Sequence, residues 1–370
     1  MVVLGVMVLP RHAGENSDPV DHRGGGLSVV MISAFVLAIV LLPQGFTPAT
    51  GVLIAATIVS GLLFFRRERR AENPLFDLHA ASIPTFWVAF VAGLIAFGAL
   101  VGGMFIGQQY TQNVLGQTPL SAVLLTLGLA VGLFPASLVG GRMIESRGTR
   151  VTFMLGLSVV AVGFVEMLVL WSPGTSLVWV VVAYLLIGIG IGLAATSASR
   201  SLSASLPISR AGMSSASVDL TKDLGGAVFQ AVLGTLLAVA YSKYFTKAFD
   251  SLPPSQAQAL GSRAAQEIGS SYEGAEAVAK TLPGADATEL ISAAQRAFTN
   301  GKVAAIGVAL ASVLIGLFLV WWKYPHMDEE RRLFGEIRAE NAAEDPAGNA
   351  AEDAAEAPTT PAGGAAAPKA

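Results

Sequence analysis

Long apolar blocks dominate the chain, and short polar or charged stretches separate them. Residues 24–65 and 78–141 contain no Asp, Glu, Lys or Arg, and residues 151–199 contain one acidic residue, Glu166, before Arg200. The apolar residues run continuously rather than alternating with polar ones, which favours helices over the strands of a membrane barrel. Because about 20 apolar residues cross the hydrocarbon core of a bilayer, this pattern predicts membrane-spanning helices.

Proline, glycine and polar turns divide these blocks into eight helices. Pro43, Gly45 and Pro48 interrupt the first block, and Ser172 to Gly174 interrupt a later one. The last helix is bounded by Lys302 and Lys323. We therefore expect an all-α integral membrane protein with about eight transmembrane helices. The predicted helices lie near 26–43, 48–65, 84–107, 120–140, 151–171, 176–198, 211–241 and 303–322.

Composition supports a bilayer as the main partner of the chain. Of the 370 residues, 53% are hydrophobic and 13% are charged, whereas a soluble domain carries roughly 25% charged residues. The net charge of −3 gives no indication of nucleic acid binding. The chain contains no cysteine, which excludes disulfides and thiolate chemistry.

Basic residues alternate between successive connections and so predict an orientation. Connections at 44–47, 108–118 and 172–175 contain no Lys or Arg. Cytoplasmic connections are the ones enriched in Lys and Arg, so both termini are predicted to be cytoplasmic in a cell membrane. The basic connections contain Arg66, Arg67, Arg69 and Arg70, then Arg142, Arg147 and Arg150, then Arg200 and Arg210.

Four stretches of sequence resemble the major facilitator superfamily, in particular its 14-helix drug:proton antiporter group of the EmrB/QacA type. They are residues 73–78 (NPLFDL), 110–122, 141–150 and 210–235. The third, GRMIESRGTR, is similar to the superfamily loop motif G-x-L-x-D-R-x-G-x-R, with Glu145 in place of Asp and Ser146 in place of Arg. It lies between the second and third of the last six helices, where the superfamily places this motif.

The resemblance implies only the carboxy-terminal portion of such a transporter. It matches the two extra helices between the halves and the second six-helix half, and it implies that an amino-terminal half is missing. The implied segments are a truncated helix end and cytoplasmic linker (1–25), a two-helix transmembrane hairpin (26–70), a six-helix transporter half (71–323) with a long outer loop (242–301), and a mostly disordered cytoplasmic tail (324–370).

The resemblance also implies a function, which is secondary active export of drugs or other amphipathic small molecules by alternating access. The proton gradient is the implied energy source, with no cofactor. The alternative is a truncated, non-transporting membrane protein or a half-transporter subunit that needs a partner half. The sequence shows no P-loop, metal-ligand cluster, nucleophile elbow or dinucleotide fingerprint, so we do not expect an enzyme.

Few ionisable residues lie inside the predicted helices, and such residues are functional hypotheses by default. Glu166 is interpreted either as a proton carrier or as a carboxylate that reaches the outer interface. Asp219, Asp223 and Gln230 share one helix face with Gly226. We expect this face to look into the protein and to line a cavity for protons or substrate; the alternative is that Asp219 simply pairs with Lys222 near the cytoplasmic interface.

The loop motif supplies the second set of candidates. By resemblance these residues form a cytoplasmic gate, whereas their basic charge alone is sufficient to fix topology. The candidate gate residues are Gly141, Arg142, Glu145, Arg147, Gly148 and Arg150. Glycines four residues apart, such as Gly128/Gly132 and Gly188/Gly192, further predict close helix packing.

Overall fold

The described part of the chain is entirely helical in its regular structure. The structure is a computed structural model, and it describes residues 21–42, 46–70, 82–207, 210–250, 269, 271–281 and 284–344. The predicted amino-terminal helix end, the 73–78 motif and most of the predicted tail lie outside these residues. The helices are α1 His22–Leu41, α2 Pro48–Glu68, α3 Pro84–Asn113, α4 Pro119–Leu125, α5 Leu127–Arg147, α6 Thr149–Leu170, α7 Leu177–Ala204, α8 Ala211–Asp250, α9 Tyr272–Ala279, α10 Gly284–Lys323 and α11 Met327–Glu344.

The prediction of eight membrane-spanning helices is confirmed for the described residues. Eight helical segments are long and apolar enough to cross a bilayer, with α4 and α5 together forming one of them. Such helices suit lipid because every backbone group inside the span is bonded within its own helix. Several begin with local signals: Pro48 and Pro119 occupy the first helical position, and Thr47 and Thr118 accept hydrogen bonds from the next turn.

Helices α3 and α7 form the centre of the bundle, and the α1–α2 hairpin lies at its edge. About half of the most apolar window of α3 (50%) and α7 (56%) is buried, against 17% in α1 and in α2. Helix α7 packs against α3, α5 and α6, while α3 also packs against α8 and α10. The hairpin contacts α8 through α1. Its many exposed large apolar side chains, such as Val52, Leu62 and Phe65, suit a lipid-facing surface.

Glycine lets α5 and α7 approach closely, as its spacing predicts. A Cβ on Gly188 would stand 2.2 Å from the Leu129 carbonyl oxygen, and one on Gly192 would stand 2.6 Å from that of Leu133. On the facing helix, a Cβ on Gly132 would stand 2.5 Å from the Leu185 carbonyl oxygen. Real Cβ atoms do not occupy such distances, so larger residues would push the two helices apart.

We call the end of the bundle where α5 meets α6 the basic end, because Arg142, Arg147 and Arg150 lie there, and we call the other the opposite end.

Helices α8 and α10 contain 40 residues each, or roughly 60 Å, about twice the hydrocarbon thickness. Their excess length lies at the opposite end, where α9 packs against α10. The predicted outer loop 242–301 is therefore largely helical in its described residues.

This observation corrects the predicted start of the last helix. The sequence analysis placed Lys302 at a helix boundary because the uninterrupted apolar run begins after it. Helix α10 instead begins at Gly284 and continues through Lys302 without a break. The physical reason is that α9 and the first turns of α10 bury their own small apolar face, which includes Ala275, Ala294 and Phe298. Charge at Lys302 thus does not end the helix.

Candidate functional site

The charged residues of α8 between Asp219 and Asp223, together with Gln230, lie on the surface of the described bundle rather than in its interior. Asp219 and Lys222 form an ion pair at 3.1 Å with side chains that are 69% and 45% exposed. Asp223 and Gln230 are exposed as well. The expected inward-facing stripe is therefore not buried within this chain, and the alternative pairing of Asp219 with Lys222 is present.

Glycine on the neighbouring face of α8 explains this orientation. A Cβ on Gly225 would stand 2.3 Å from the Leu94 carbonyl oxygen of α3, and one on Gly226 would stand 3.0 Å from Val101. Phe229, one turn further, fills the space beside Gly98. Helix α8 therefore presents its small residues to α3, and its charged residues are turned away from the described bundle.

An open groove lies on the same side of the bundle. It has a volume of about 580 Å³ and is formed by α3, α5, α7 and α8. Of the polar α8 residues, Lys222 lines it, whereas Asp219, Asp223 and Gln230 do not. The groove combines an apolar floor with hydroxyl groups and two cationic side chains. Its lining residues are Phe97, Leu133, Ser137, Gly141, Ile191, Ala195, Thr196, Ser199, Arg200, Ser203 and Lys222.

The sequence analysis did not single out Lys222 or Arg200 as lining residues. A signal was available for Lys222, because it lies three residues after Asp219 and so near the same face. Its ammonium group donates a hydrogen bond to the Asp219 carboxylate. Arg200 of α7 is the second cationic residue that lines the groove. The arrangement suits an amphipathic molecule with a polar group near α7 and α8.

At the basic end, the predicted gate residues separate into two groups. Arg142, Glu145 and Arg147 are exposed and form no ion pair with another described residue. Gly148 takes φ +84°, a conformation that suits glycine, and joins α5 to α6. Arg150 donates hydrogen bonds towards His326 and the Trp321 carbonyl, both near the end of α10.

Glu330 completes this end, and the sequence analysis missed it. Its carboxylate accepts a hydrogen bond from the Thr149 backbone N–H at 3.2 Å and another from the Thr149 hydroxyl. Gly148 has no side chain to cap α6, so Glu330 of α11 supplies the cap from a distant part of the chain. Glu330 is only 5% exposed. The acidic first turn of α11 was the available signal, but it does not identify the partner helix.

Glu166 lies at the opposite end, where its side chain is partly buried in the last turns of α6. Both carboxylate oxygens are inaccessible and accept no hydrogen bond of normal geometry from described residues. The side chain interacts electrostatically with Lys302 and lies near the Trp171 indole. Glu166 therefore belongs to neither the groove nor the basic end. The structure separates the predicted site residues into three regions.

Comparisons with known proteins agree with this architecture. The sequence profile of the Major Facilitator Superfamily matches residues 22–230, which is more than half of the chain. The names of its relatives describe drug efflux, export or resistance. The multidrug efflux pump LfrA of Mycolicibacterium smegmatis is 31% identical over 323 residues, covering 86% of this chain and 62% of that protein.

Two further relatives show similar coverage. The multidrug resistance protein Stp of Mycobacterium tuberculosis is 27% identical over 240 residues, which cover 64% of this chain and 44% of Stp. The tetracenomycin C resistance and export protein of Streptomyces glaucescens is 28% identical over 267 residues, which cover 71% of this chain and 48% of that protein. The chain thus spans less than two thirds of the length of each of these three relatives.

Proposed function

The chain belongs to the Major Facilitator Superfamily, and we propose that it forms the carboxy-terminal part of a proton-coupled exporter of drugs or other amphipathic compounds. The family membership and the multi-pass membrane architecture are the premises of this proposal. Export as a function comes from the names of relatives that are efflux pumps or an export protein. The proton gradient is the proposed energy source, alternating access is the proposed mechanism, and no cofactor is required.

The groove is the single observation that carries the proposal. A face with hydroxyl groups, Arg200 and the Asp219–Lys222 pair is costly to expose to hydrocarbon. Placing a second set of helices against this face would enclose a polar cavity between the two sets. We therefore infer that the open face meets an amino-terminal six-helix half, as in the 14-helix antiporter group.

The candidate residues receive distinct roles under this proposal. Asp219, Asp223 and Gln230 face the enclosed cavity, where the carboxylates bind and release protons. The nearby Lys222 ammonium favours their ionised form. The basic end is cytoplasmic, with both termini on that side. The gate residues from Gly141 to Arg150 control access from the cytoplasm, and the Arg150 contacts with α10 stabilise one conformation.

A dye-efflux assay tests the proposal directly. Energised cells that express the chain are loaded with ethidium, and loss of the dye is followed with and without an uncoupler. We expect uncoupler-sensitive efflux when the chain is produced together with the amino-terminal half of a relative. Uncoupler-insensitive loss equal to that of cells without the protein, with the chain confirmed in the membrane, would contradict the proposal.

The second candidate function is a half-transporter subunit that assembles with a separate partner half. The observation favouring it is the exposed polar face, which has no covering helices among the described residues. Expression of the chain alone separates the two cases. Efflux by the chain alone supports assembly with itself or with a host half, whereas efflux only when an amino-terminal half is fused to the chain supports the first proposal.

A further inference from the structure

Lys302 is a charged residue held entirely inside the bundle at the opposite end. Its side chain is 0% exposed although it lies 18 residues into α10. The ammonium group donates a hydrogen bond to the Met167 carbonyl at 3.0 Å and another to the Trp171 carbonyl. Met167 lies in the last turn of α6 and Trp171 is the residue that follows the helix. Backbone oxygens at this end of a helix have no partner within the helix and carry partial negative charge. Lys302 therefore caps α6 from α10.

Two aromatic rings complete the surroundings of this ammonium group. The Lys302 nitrogen lies 5.2 Å from the ring centroid of Tyr110 and 6.0 Å from that of Trp171. The two rings stack on each other with centroids 4.7 Å apart. The Tyr110 hydroxyl donates a 2.7 Å hydrogen bond to the Ser172 carbonyl. Cations over aromatic faces are attracted more strongly when water is excluded, so α3, α6 and α10 meet at this one charge.

Glu166 is the acidic member of the same cluster. It lies on α6 just before Met167, its carboxylate oxygens are inaccessible, and it interacts electrostatically with Lys302 without a direct ion pair of 4 Å or less. Removing one charge of such a buried set leaves the other uncompensated. We call Lys302, Glu166, Tyr110 and Trp171 the Lys302 cluster.

The Lys302 cluster is separate from the groove. None of its four residues lines the groove, which α3, α5, α7 and α8 form, and α6 and α10 contribute nothing to that lining. The cluster instead adjoins the helices that extend beyond the bilayer. Gln295 of α10 donates a hydrogen bond to the Val114 carbonyl at the end of α3, at 3.2 Å. Helices α10 and α3 are thus tied together again, two turns further out.

We propose that Lys302 is a positioning residue that holds the opposite end of this half closed, and that Glu166 sets the strength of this closure. Removing the Lys302 ammonium leaves the α6 carbonyls uncapped, the Glu166 charge uncompensated and the ends of α3, α6 and α10 free to separate. The opposite end is the outer end under the proposed topology. Its relevance to the release of exported molecules rests on the proposed function, whereas the closure itself does not.

The absence of native cysteine provides a direct test. A single cysteine is introduced at Ala294, which is 0% exposed and lies on α10 outward of Lys302. Its labelling by a membrane-impermeant maleimide is followed in intact cells producing the whole chain. We expect Lys302→Met to increase the labelling rate at least several-fold. The matched control is Lys280→Met, which removes an exposed lysine of the same outer region and leaves the rate unchanged.

A second cysteine position reports which side of the membrane the opposite end faces. Asn300 is exposed, so Asn300→Cys in the otherwise unchanged chain reacts rapidly if the opposite end faces outward. If Lys302→Met does not accumulate in the membrane, Lys302→Gln replaces it, because the amide keeps donors while losing the charge. A smaller increase of the same kind is then expected. Labelling of Ala294→Cys that is equal in the Lys302 and Lys280 variants overturns the proposal.

The role of Glu166 is tested by a double-mutant cycle. Glu166→Gln combined with Lys302→Met removes the uncompensated carboxylate, so labelling is expected to fall below that of Lys302→Met alone. A Lys302 side chain that only fills space or caps α6 predicts no such coupling, and additive effects would therefore reject the role of Glu166. No substrate is needed for the assay. Failed dye efflux together with intact coupling rejects the proposed function and leaves this inference standing.

Discussion

Two sets of charged residues inside the apolar helices have opposite surroundings. Lys302 and Glu166 are enclosed by α3, α6 and α10 at the opposite end. Asp219 and Lys222 lie exposed on α8, where they pair with each other. In the first set, the Lys302 ammonium is hydrogen-bonded within this chain and the Glu166 carboxylate accepts no hydrogen bond from described residues. The second set faces outward from the chain. From this difference we expect a structural role for a charge that the described helices enclose, and we regard a charge that they leave exposed as a functional candidate.

The largest expected effect is on the stability of the Lys302 cluster. Lys302→Met leaves the α6 carbonyls and Glu166 without their cation, and breaking a buried charge set typically costs about 3–5 kcal/mol. Lys222→Met breaks an exposed pair, which is typically worth about 0–1 kcal/mol. Apparent melting temperatures of the two detergent-solubilised variants measure the contrast. Equal melting temperatures would remove the distinction between the two regions.

For transport, in contrast to stability, we expect the exposed residues of α8 to be the sensitive region. Asp219→Asn and Asp223→Asn are expected to abolish uncoupler-sensitive efflux in a chain that is completed by an amino-terminal half, while membrane insertion stays intact. A tenfold loss corresponds to about 1.4 kcal/mol. Ethidium efflux and the accompanying proton uptake are the measurements. Glu276→Gln, which alters an exposed acidic residue of α9, is the control and is expected to leave efflux unchanged. Unchanged efflux in both aspartate variants would reject the cavity assignment.

The sequence specifies the spans of this fold more fully than the surroundings of its charges. Eight helices follow from uninterrupted apolar runs, because a bilayer-crossing length is a property of one segment. Lys302 was assigned to a helix boundary because the uninterrupted apolar run begins after it. The sequence around Lys302 gives no indication that its ammonium group contacts the Met167 and Trp171 carbonyls. The spacing of Phe298, Lys302, Ala305 and Ala309 was the available signal, since positions separated by four, three and four residues lie on one face of α10.

The candidate site was predictable in the same limited sense. Helical spacing placed Asp219 and Lys222 close together, and they do pair. It did not predict which neighbouring helix covers Gly225 and which side remains open, because that depends on the packing of α8 against α3. Glu330 and Thr149 are 181 positions apart and meet only in the folded chain. Contacts of this kind have no local pattern in the sequence.

Glu330 extends the comparison to the basic end with a smaller effect. It is a buried charge that caps α6 at its start, whereas Lys302 caps the same helix at its end. Glu330→Ala is expected to cost about 1 kcal/mol, the typical value of a helix cap. The exposed neighbour Glu329→Ala is the control. Thermal unfolding in detergent measures both, and a cost for Glu330 no larger than that for Glu329 would show that the cap contributes nothing.

The pair Asp21–Arg67 is intermediate between the two regions and gives the smallest expected effect. The Asp21 carboxylate accepts from the Arg67 guanidinium at 2.6 Å and from the Gly24 backbone N–H, linking α2 to the start of α1. The Arg67 hydrogen bond, helped by that from Gly24, lowers the pKa of Asp21 to about 2.

Because this pKa is lower in the folded state than the ordinary aspartate value of about 3.9, the contribution of Asp21 to stability is present above pH 4. It is lost as the pH falls from about 4 through 2. The Arg67 side chain is 38% exposed, so the loss is small and is further reduced by salt. One cysteine is introduced in α1 and one in α2, and their reaction with a cross-linker of fixed length is compared at pH 6 and pH 3. The difference measures the loss of the Asp21 contribution. Asp21→Asn should remove the pH dependence of cross-linking between these values. If the dependence persists in Asp21→Asn, another carboxylate causes it, and Asp21 only caps α1.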